Sequence, residues 1–454
     1  MKREQSTTPI WLSLVFLFFL LGSLVTWLRG FPFEPWLREA FIGTEALLKT
    51  YYADLGSLEH DVWIELETDA EVIEGVTRFD AARAAPGLTL VTAGETAYLV
   101  DLDGSVRHSW RLPYEALPAS DEKIQGSVTQ SRLYWQRAHV LPDGDLIAVV
   151  NATKSSPDGL AVVRLDSESR LKWVKHGFFH HDFDIGPDGN IYVLDQAVRA
   201  RPPADLKELT GPLLDEGVVV LSPEGTLLRR ISLLDAFGRS PYAEMLKRYA
   251  ERNQAHWGDY LHSNNAEVAD AATAAAFDFV EPGQILLSLR EVDTIAVLDP
   301  ETESITWAAR GSWRRQHDPD FLANGNILIF DNQGDWDRGG RSRVIEYDPR
   351  TEAIVWQYPE GDRGELWSSY RAEQQVLANG NILINEFTQR RLFEVTRTGE
   401  IVWDYRCPFR SGGEGNLLCR AMSSRRYDER QFAFRFNGGA PTQTASSRGS
   451  QSYD

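Results

Sequence analysis

Six short segments of this chain follow one pattern, and this repeat constrains the fold more than any other feature of the sequence. Each segment has an apolar run, a polar turn and a second apolar run, which is typical of two strands joined by a turn. Five of the six end on Trp, and the last of these Trp residues recur at the length of a four-stranded propeller blade. The segments are YLVDLDGSVRHSW (98–110), AVVRLDSESRLKW (161–173), VVVLSPEGTLLRRI (218–231), IAVLDPETESITW (295–307), VIEYDPRTEAIVW (344–356) and LFEVTRTGEIVW (392–403).

Six such units predict an all-β fold, a six-bladed β-propeller, which closes radially and leaves few exposed strand edges. We place this domain at residues 75–437 and a polar, disordered tail at 438–454. The first unit lacks an upstream strand, so we expect a C-terminal strand to complete its blade and close the ring. The candidate is QFAFRFN (431–437). Helical insertions are predicted in the third unit, at 203–215 and 233–256.

The beginning of the chain predicts a membrane anchor. Residues 9–28, PIWLSLVFLFFLLGSLVTWL, carry no charge and are long enough to cross a bilayer as a helix, and Lys2 and Arg3 precede them. We predict a cytoplasmic stub and uncleaved transmembrane signal anchor at 1–30, then a membrane-proximal helical segment at 31–74; a cleaved signal peptide is the alternative. The protein is thus expected to be a single-pass protein of a bacterial inner membrane, with the propeller facing the periplasm.

Charge and cysteine content limit the possible partners and compartments. The chain has 47 Lys and Arg against 66 Asp and Glu, a net charge of −19, and its acidic residues are scattered as on a solvated surface. A nucleic-acid partner is excluded because phosphate binding needs a basic face. The two cysteines, Cys407 and Cys419, enclose a Gly-rich loop. They would pair in an oxidising compartment and stay thiols in a cytosolic protein.

Histidines occupy equivalent places in two of the units. FFHHDFDIGPDGNIYVLDQ (178–196) aligns without a gap with RRQHDPDFLANGNILIFDN (314–332), which superimposes His181 on His317. These segments open their units, where the innermost strand of a blade lines the central channel. DYLHSNN places His262 similarly, and SLREVD adds Arg290. We therefore expect these side chains to face one axial site.

The repeat itself does not require histidine. Two other units open with QRAHVLPDGD and SYRAEQQVLANGN and lack the His-Asp pair. A single buried histidine most often satisfies a neighbouring loop, but three of them with an arginine favour a functional site. Trp at a fixed strand position is a packing residue. Asp182 and Asp318 are expected to brace turns or orient their histidines, and His180 is the alternative to His181.

The segments HHDFDIGPDGN, DYLHSNN, LLSLREVDTIAVLD and RRQHDPDFLANGNILIFDN together resemble the bacterial arylsulfotransferases, which use aryl sulfates as donors in place of a nucleotide donor. GVTRFDAARAAPGLTLVTA (75–93) is similar to the family's entry into its first blade, and the resemblance covers roughly residues 75–405. It departs from the family's well-known periplasmic members, since these have an N-terminal β-sandwich domain where this chain has the predicted anchor and helix.

The resemblance implies site residues and a reaction. His317 falls on the family's nucleophile, and the sulfuryl-binding residues fall on His181, His262, Asn264 and Arg290. A neutral imidazole can form a sulfo-histidine intermediate, so a ping-pong transfer from an aryl sulfate to a phenolic acceptor is expected. His262 or His181 would be the general acid and base. No cofactor is required, and without a dense Asp/Glu/His cluster no metal site is predicted.

Two other classes of protein have the same repeat. The strand pairs ending in Trp also resemble the blades of quinoprotein dehydrogenases, which normally have more blades and a calcium-ligand cluster. The stronger alternative is a membrane-anchored propeller without catalytic activity, acting as a periplasmic binding or assembly scaffold. Such a scaffold would tolerate the loss of His317 and Arg290, whereas a transferase would not.

Overall fold

The computed structural model describes the greater part of the chain, from the first repeat unit to the last. It covers residues 40, 44, 62–65, 72–117, 133–153, 158–252, 258–361, 365–411, 417–434 and 436.

Six antiparallel sheets form the blades of a propeller, which confirms the predicted all-β architecture. In each blade the strand nearest the axis pairs with the next strand outward, and so on to the rim. From the axis outward, blade 1 contains Ser424–Tyr427, Leu88–Ala93, Thr96–Val100 and Val106–Arg111; blade 2 contains Leu133–Val140, Leu146–Ala152, Ala161–Leu165 and Leu171–His176; blade 3 contains Phe179–Ile185, Ile191–Arg199, Leu213–Leu221 and Leu227–Ser232; blade 4 contains Ser263–Val268, Ile285–Leu289, Thr294–Asp299 and Ser304–Ala309; blade 5 contains His317–Phe321, Ile327–Asp335, Arg341–Asp348 and Ala353–Tyr358; blade 6 contains Glu373–Val376, Ile382–Glu386, Arg391–Val395 and Ile401–Arg406, with Gly75–Phe79 as a fifth, outermost strand.

The second and third strands of the blades carry the hydrophobic core. All side chains of Leu146–Ala152, Leu213–Leu221 and Ile285–Leu289 are buried, because both faces of a blade pack on its neighbours. The strands on the rim are half-exposed, as in Ala353–Tyr358. This burial explains why the repeat is visible in the sequence as short apolar runs.

The ring closes through the C-terminal part of the chain, as predicted, but through a different segment. Ser424–Tyr427 pairs antiparallel with Leu88–Ala93 and supplies the innermost strand of blade 1. The prediction that 431–437 does this was wrong, since Glu429–Gln431 is a 3₁₀ turn. Phe434 and Phe436 instead pack against the buried side chains of blades 1 and 2, so their apolar character reflects packing on the rim of the ring.

Tryptophans link neighbouring blades around the ring. The indole N–H of Trp110 in blade 1 donates to the Gly144 carbonyl of blade 2 at 3.2 Å, and that of Trp403 in blade 6 donates to Leu102 of blade 1 at 2.8 Å. Blades 2 and 5 repeat the contact through Trp173 and Trp356. The expected packing role of the repeated Trp is confirmed, with an added hydrogen bond to the next blade.

The helices lie outside the blades. The α-helices are Leu233–Gly238, Ala243–Arg252 and Ala271–Ala274, and the 3₁₀ turns are Tyr114–Ala116, Ala204–Leu206, Arg290–Val292, Trp336–Arg338, Phe387–Gln389 and Glu429–Gln431. Within the insertion at 233–256, Leu233–Gly238 and Ala243–Arg252 are helical, as predicted. The one at 203–215 contains only a single 3₁₀ turn before the third strand of blade 3 begins at Leu213.

A small sheet connects the first described residues to the end of the ring. Trp63–Glu65 pairs with Leu417–Cys419, which in turn pairs with Arg410–Ser411. Cys407 and Cys419 are both buried here and form a disulfide with a Cα–Cα distance of 6.1 Å.

The predicted anchor at 9–28 and the tail at 438–454 lie outside the described residues. Among the residues that are described, no helix is both long and apolar enough to cross a membrane. In the predicted helical segment at 31–74, Ala40 and Thr44 are helical, whereas Trp63–Glu65 is a strand.

Candidate active site

The innermost strands present irregular backbone at one face of the propeller. The pairing register shifts between Phe179 and Phe183, between Ser263 and Asn265, and between His317 and Asp320. Bulges of this kind redirect side chains, and left-handed backbone at residues other than Gly is concentrated at functional sites. Positive φ angles occur at His181 (55°), His262 (49°), Asp318 (49°), Arg371 (56°) and Ala372 (82°).

His317 is held with one ring nitrogen bonded to the protein framework and the other facing a cavity. Its Nδ1 lies 2.7 Å from Asn332 Oδ1 and 3.1 Å from the Arg315 carbonyl oxygen. Both are acceptors, because the Asn332 amide nitrogen donates elsewhere, to the carbonyls of Ser368 and Arg371. Nδ1 therefore carries the proton. Nε2 is unprotonated, and its lone pair accepts the Arg371 backbone N–H at 3.2 Å.

The protonation state of His317 follows from its surroundings. Burial and the nearby charge of Arg290 lower the pKa of His317 to about 3. Its imidazole is consequently neutral at pH 7, with Nε2 available as a nucleophile.

His181 and His262 lie close together beside this cavity. Their ring centroids are 5.0 Å apart in an edge-on arrangement. Burial and the neighbouring His180 hold the pKa of His181 well below its usual range. His262 Nδ1 lies 2.6 Å from Asp259 Oδ2, so a carboxylate orients this ring.

Asn264 and Arg290 complete the group predicted from the sequence. Asn264 lines the cavity and donates to the Gln316 carbonyl at 3.0 Å. The Arg290 backbone N–H donates to the His262 carbonyl at 3.2 Å, and its guanidinium bonds Glu291 at 2.7 Å. Arg290 Nε is buried and has no hydrogen-bond partner among the described residues. Three of the five predicted residues, His181, Asn264 and His317, line the cavity. His262 packs on the His181 ring, and Arg290 is near enough for its charge to lower the pKa of His317.

The cavity has a volume of about 40 Å³, room for two or three waters at ~15 Å³ each. Its walls include Gln136, Arg137, His181, Asn264, His317 and Arg371. Within the described residues, no group of three or more His, Cys, Asp or Glu side chains is arranged to hold a metal ion.

His180 is placed differently from His181. It is buried, its Nδ1 lies 2.8 Å from His181 Nδ1, and its Nε2 is 3.7 Å from a Glu216 carboxylate oxygen. His181 is the one that lines the cavity, so His180 supports its neighbour from behind.

Asp182 and Asp318, which were expected to brace turns or to orient their histidines, contact neighbouring blades instead. Each carboxylate accepts a backbone N–H from the next blade, that of Ala266 at 3.0 Å and that of Gln374 at 2.8 Å, respectively. Each also pairs with Arg137, at 2.8 and 3.4 Å. These residues tie blades together beneath the histidines.

A buried cluster of charges thus forms the floor of the cavity. Arg137, Asp182, Asp318 and Glu373 occupy equivalent positions at the same spacing before the turn glycines of blades 2, 3, 5 and 6. Glu373 pairs with Arg137 at 2.8 Å and accepts the Ser424 backbone N–H of blade 1 at 2.8 Å. We call these four residues the axial cluster. One cation faces three carboxylates, and burial raises the pKa of Asp182 to about 6 and that of Glu373 to about 7.

This excess of acid predicts an unusual pH dependence of stability. Because the folded pKa of Glu373 lies above its ordinary value, the folded state holds a proton that the unfolded state releases, so this contribution is present at low pH and is lost as pH rises through about 7. Glu373→Gln removes the titration, so we expect the variant to gain stability relative to the parent by on the order of 1–3 kcal/mol between pH 5 and pH 8. Urea unfolding of both proteins at the two pH values measures this. A difference independent of pH would show that Glu373 is not protonated in the folded protein.

Sequence reasoning missed three residues of the site: Asn332, Arg137 and Arg371. Asn332 lies in the second strand of blade 5, Ile327–Asp335. A polar residue that follows an apolar run in this strand is the sequence feature that could have identified it. Arg137 and Arg371 lie in QRAHVLPDGD and SYRAEQQVLANGN, the two segments that open their units without a His-Asp pair.

The comparisons with known proteins agree with the fold and identify the family. The family model described as Arylsulfotransferase (ASST) matches residues 137–408, well over half of the chain. No curated protein matches the chain significantly.

Solved structures with similar folds are distant from this chain. A protein of unknown function from Bacteroides caccae is 11% identical with a TM-score of 0.45, over 71% of this chain and 94% of that one. Virginiamycin B lyase from Staphylococcus aureus is 10% identical with a TM-score of 0.37, over 77% and 88%. Neither likeness says anything about function. The family match, over blades whose axial residues are those described above, places this chain in the arylsulfotransferase family.

Proposed function

We propose that the protein moves a sulfuryl group from an aryl sulfate donor to a phenolic acceptor by a ping-pong mechanism, through a sulfo-histidine at His317. The observation that carries this proposal is the state of His317: a buried, neutral ring whose Nδ1–H is fixed by Asn332 and whose Nε2 faces the cavity. Among the described residues Nε2 has one partner, the Arg371 backbone N–H at 3.2 Å. A histidine that lines a polar cavity can exchange this single hydrogen bond for a bond to sulfur.

In the first half-reaction Nε2 of His317 attacks the sulfur of the donor. An N–S bond forms while the bond from sulfur to the aryl oxygen breaks, and the leaving oxygen takes a proton. By analogy with phosphoryl transfer, the charge spreads over three equatorial oxygens, so positioned donors supply most of the catalysis. Arg290, His181 and Asn264 surround the place where these oxygens would lie.

The Arg371 backbone N–H has a further part in this step. It donates to Nε2 in the free protein at 3.2 Å. Once Nε2 bonds sulfur, that N–H loses its acceptor and is positioned to donate to a sulfuryl oxygen instead. The hydrogen bond is thus transferred to the group that gains charge.

His262 is the better candidate for the general acid and base. Burial alone would raise the pKa of Asp259. The interaction with His262 and the hydrogen bond between the two side chains outweigh burial and hold this pKa below its usual range. Such a pair can hold the proton that the leaving phenolate needs and take it back from the incoming phenol. His181 is less suited, since its pKa is held well below its usual range. The acceptor oxygen then attacks sulfur, the N–S bond breaks and neutral His317 returns.

We also propose that the propeller is anchored in a bacterial inner membrane and faces the periplasm. The uncharged segment at 9–28 supports an anchor. The disulfide between Cys407 and Cys419 supports an oxidising compartment.

The test uses the full-length protein with 4-nitrophenyl sulfate, with and without phenol. We expect phenol to stimulate nitrophenol release, parallel double-reciprocal plots when both substrates are varied, and one sulfuryl group per chain when phenol is omitted. Peptide mapping at neutral pH should place that group on the peptide containing His317. Absence of release and adduct with several aryl sulfates would instead favour a propeller that only binds its partners.

A further inference from the structure

Arg371 is a cation of the cavity wall that lacks a counter-ion. Its guanidinium lies over the rings of Phe387 at 4.8 Å, Tyr134 at 5.5 Å and Tyr370 at 5.9 Å. It also contacts the Met422 sulfur. No carboxylate in the described part of the chain pairs with it.

Three other arginines near the axis have carboxylate partners. Arg137 pairs with three carboxylates, Arg290 with Glu291, and Arg426 with Glu394. A charge that is partly removed from water is costly unless it is paired, and cation–π contacts offset only part of that cost. Arg371 is therefore poised for an anion that the protein does not itself provide.

The surroundings of Arg371 indicate what kind of anion fits. Tyr134, Tyr370, Phe387 and Met422 belong to one buried apolar cluster that borders the cavity. Such a wall suits an aromatic ring. Arg371 lies just before the first strand of blade 6, and Arg290 follows the second strand of blade 4. The two arginines therefore belong to the blades on either side of blade 5, which carries His317.

We propose that Arg371 and these side chains form a second anion subsite, which selects aromatic substrates that carry an anionic group, such as a carboxylate, on the ring besides the oxygen that receives the sulfuryl group. The inference rests on the proposed sulfuryl transfer. It assigns Arg290 to the sulfuryl group and Arg371 to the substituent of the ring. In a ping-pong reaction the donor aryl group and the acceptor occupy this subsite in turn.

Paired acceptors test the subsite. The 3- and 4-hydroxybenzoates carry the anion, and the matching hydroxybenzamides have nearly the same shape without charge. With 4-nitrophenyl sulfate as donor, we expect kcat/KM for the better hydroxybenzoate to exceed that of its amide about tenfold or more, the value of one charge-assisted hydrogen bond. In Arg371→Gln this ratio should fall to about one, while the amide changes by less than about threefold.

Two further variants separate recognition from folding. Arg371→Lys keeps the charge and should keep part of the preference for the anion. Arg420→Gln removes a cation over the same Phe387 ring, at 5.6 Å, but Arg420 is not among the residues that line the cavity, so the preference should stay as in the parent. Equal losses on the acid and the amide in Arg371→Gln would overturn the proposal and assign Arg371 to the sulfuryl group or to the framework.

Calorimetric titration of the same four ligands into the parent protein and Arg371→Gln makes the test independent of turnover. Tighter binding of a hydroxybenzoate than of its amide, lost in the variant, would support the subsite even if no transfer occurred, in which case the proposed function alone would fail. Equal affinities of the acids and amides for the parent protein would refute the subsite even if transfer were active.

Discussion

Replacing His317 with alanine is expected to lower sulfuryl transfer at least about a thousandfold, since it removes the imidazole nitrogen that forms the bond to sulfur. The sulfuryl adduct should disappear together with turnover. Both follow from one assay, with nitrophenol release measured with and without phenol and the intact mass taken without phenol. The variant loses the side-chain hydrogen bonds of His317 to Asn332, Arg315 and Arg371. Only the bond to Arg371 leads to a neighbouring blade, so the propeller should still fold.

A matched control is available in the same ring of innermost strands. His139 lies in the strand Leu133–Val140 and packs on the Phe183 ring at 4.8 Å, away from the residues that line the cavity. His139→Ala therefore loses a partly buried histidine of an innermost strand and should keep activity within a few fold. A His317→Ala protein that still formed an adduct would identify another nucleophile. Equal losses in the two variants would point to a folding defect.

The fold could be predicted from sequence because each blade repeats its own local signals. Apolar runs and turn residues appear in every unit, and five of the six units end on Trp. The hydrogen bonds of Trp110 and Trp403 to the next blade explain why this Trp recurs. The closing strand was misplaced because two segments near the end are apolar or β-prone. QFAFRFN contains more aromatic residues, but the polar segment Ser424–Tyr427 is the one that pairs with Leu88–Ala93.

The site was predicted less completely, for a physical reason. His181, His317 and His262 were found because a histidine is unusual in an apolar repeat. Arg137 and Arg371 were passed over because charged residues are common at turns and strand starts, and only the ring brings positions far apart in sequence to one axis. The pairing of Arg137 with Glu373, for example, joins blades 2 and 6.

Replacing Arg137 with glutamine is expected to cost about 3–5 kcal/mol of unfolding free energy near neutral pH, the usual effect of removing one partner from a buried ion pair. The change leaves Asp182, Asp318 and Glu373 buried without their cation. Each still accepts a backbone N–H from the following blade, so their repulsion acts directly on the contacts between blades.

The pH dependence of that loss identifies its cause. Without Arg137 the three carboxylates have to keep protons to stay buried, which raises their folded pKa values further and makes the loss larger as pH rises. Urea unfolding of the parent protein and Arg137→Gln at pH 5 and pH 8 should therefore show the smaller difference at pH 5. Glu373→Gln provides the opposite comparison. It removes one of the three carboxylates that share Arg137, so its free energy of unfolding at pH 8 should exceed that of the parent protein. An Arg137→Gln protein as stable as its parent at pH 8 would mean that the axial cluster does not hold the blades together, and that Arg137 is retained for the cavity above it.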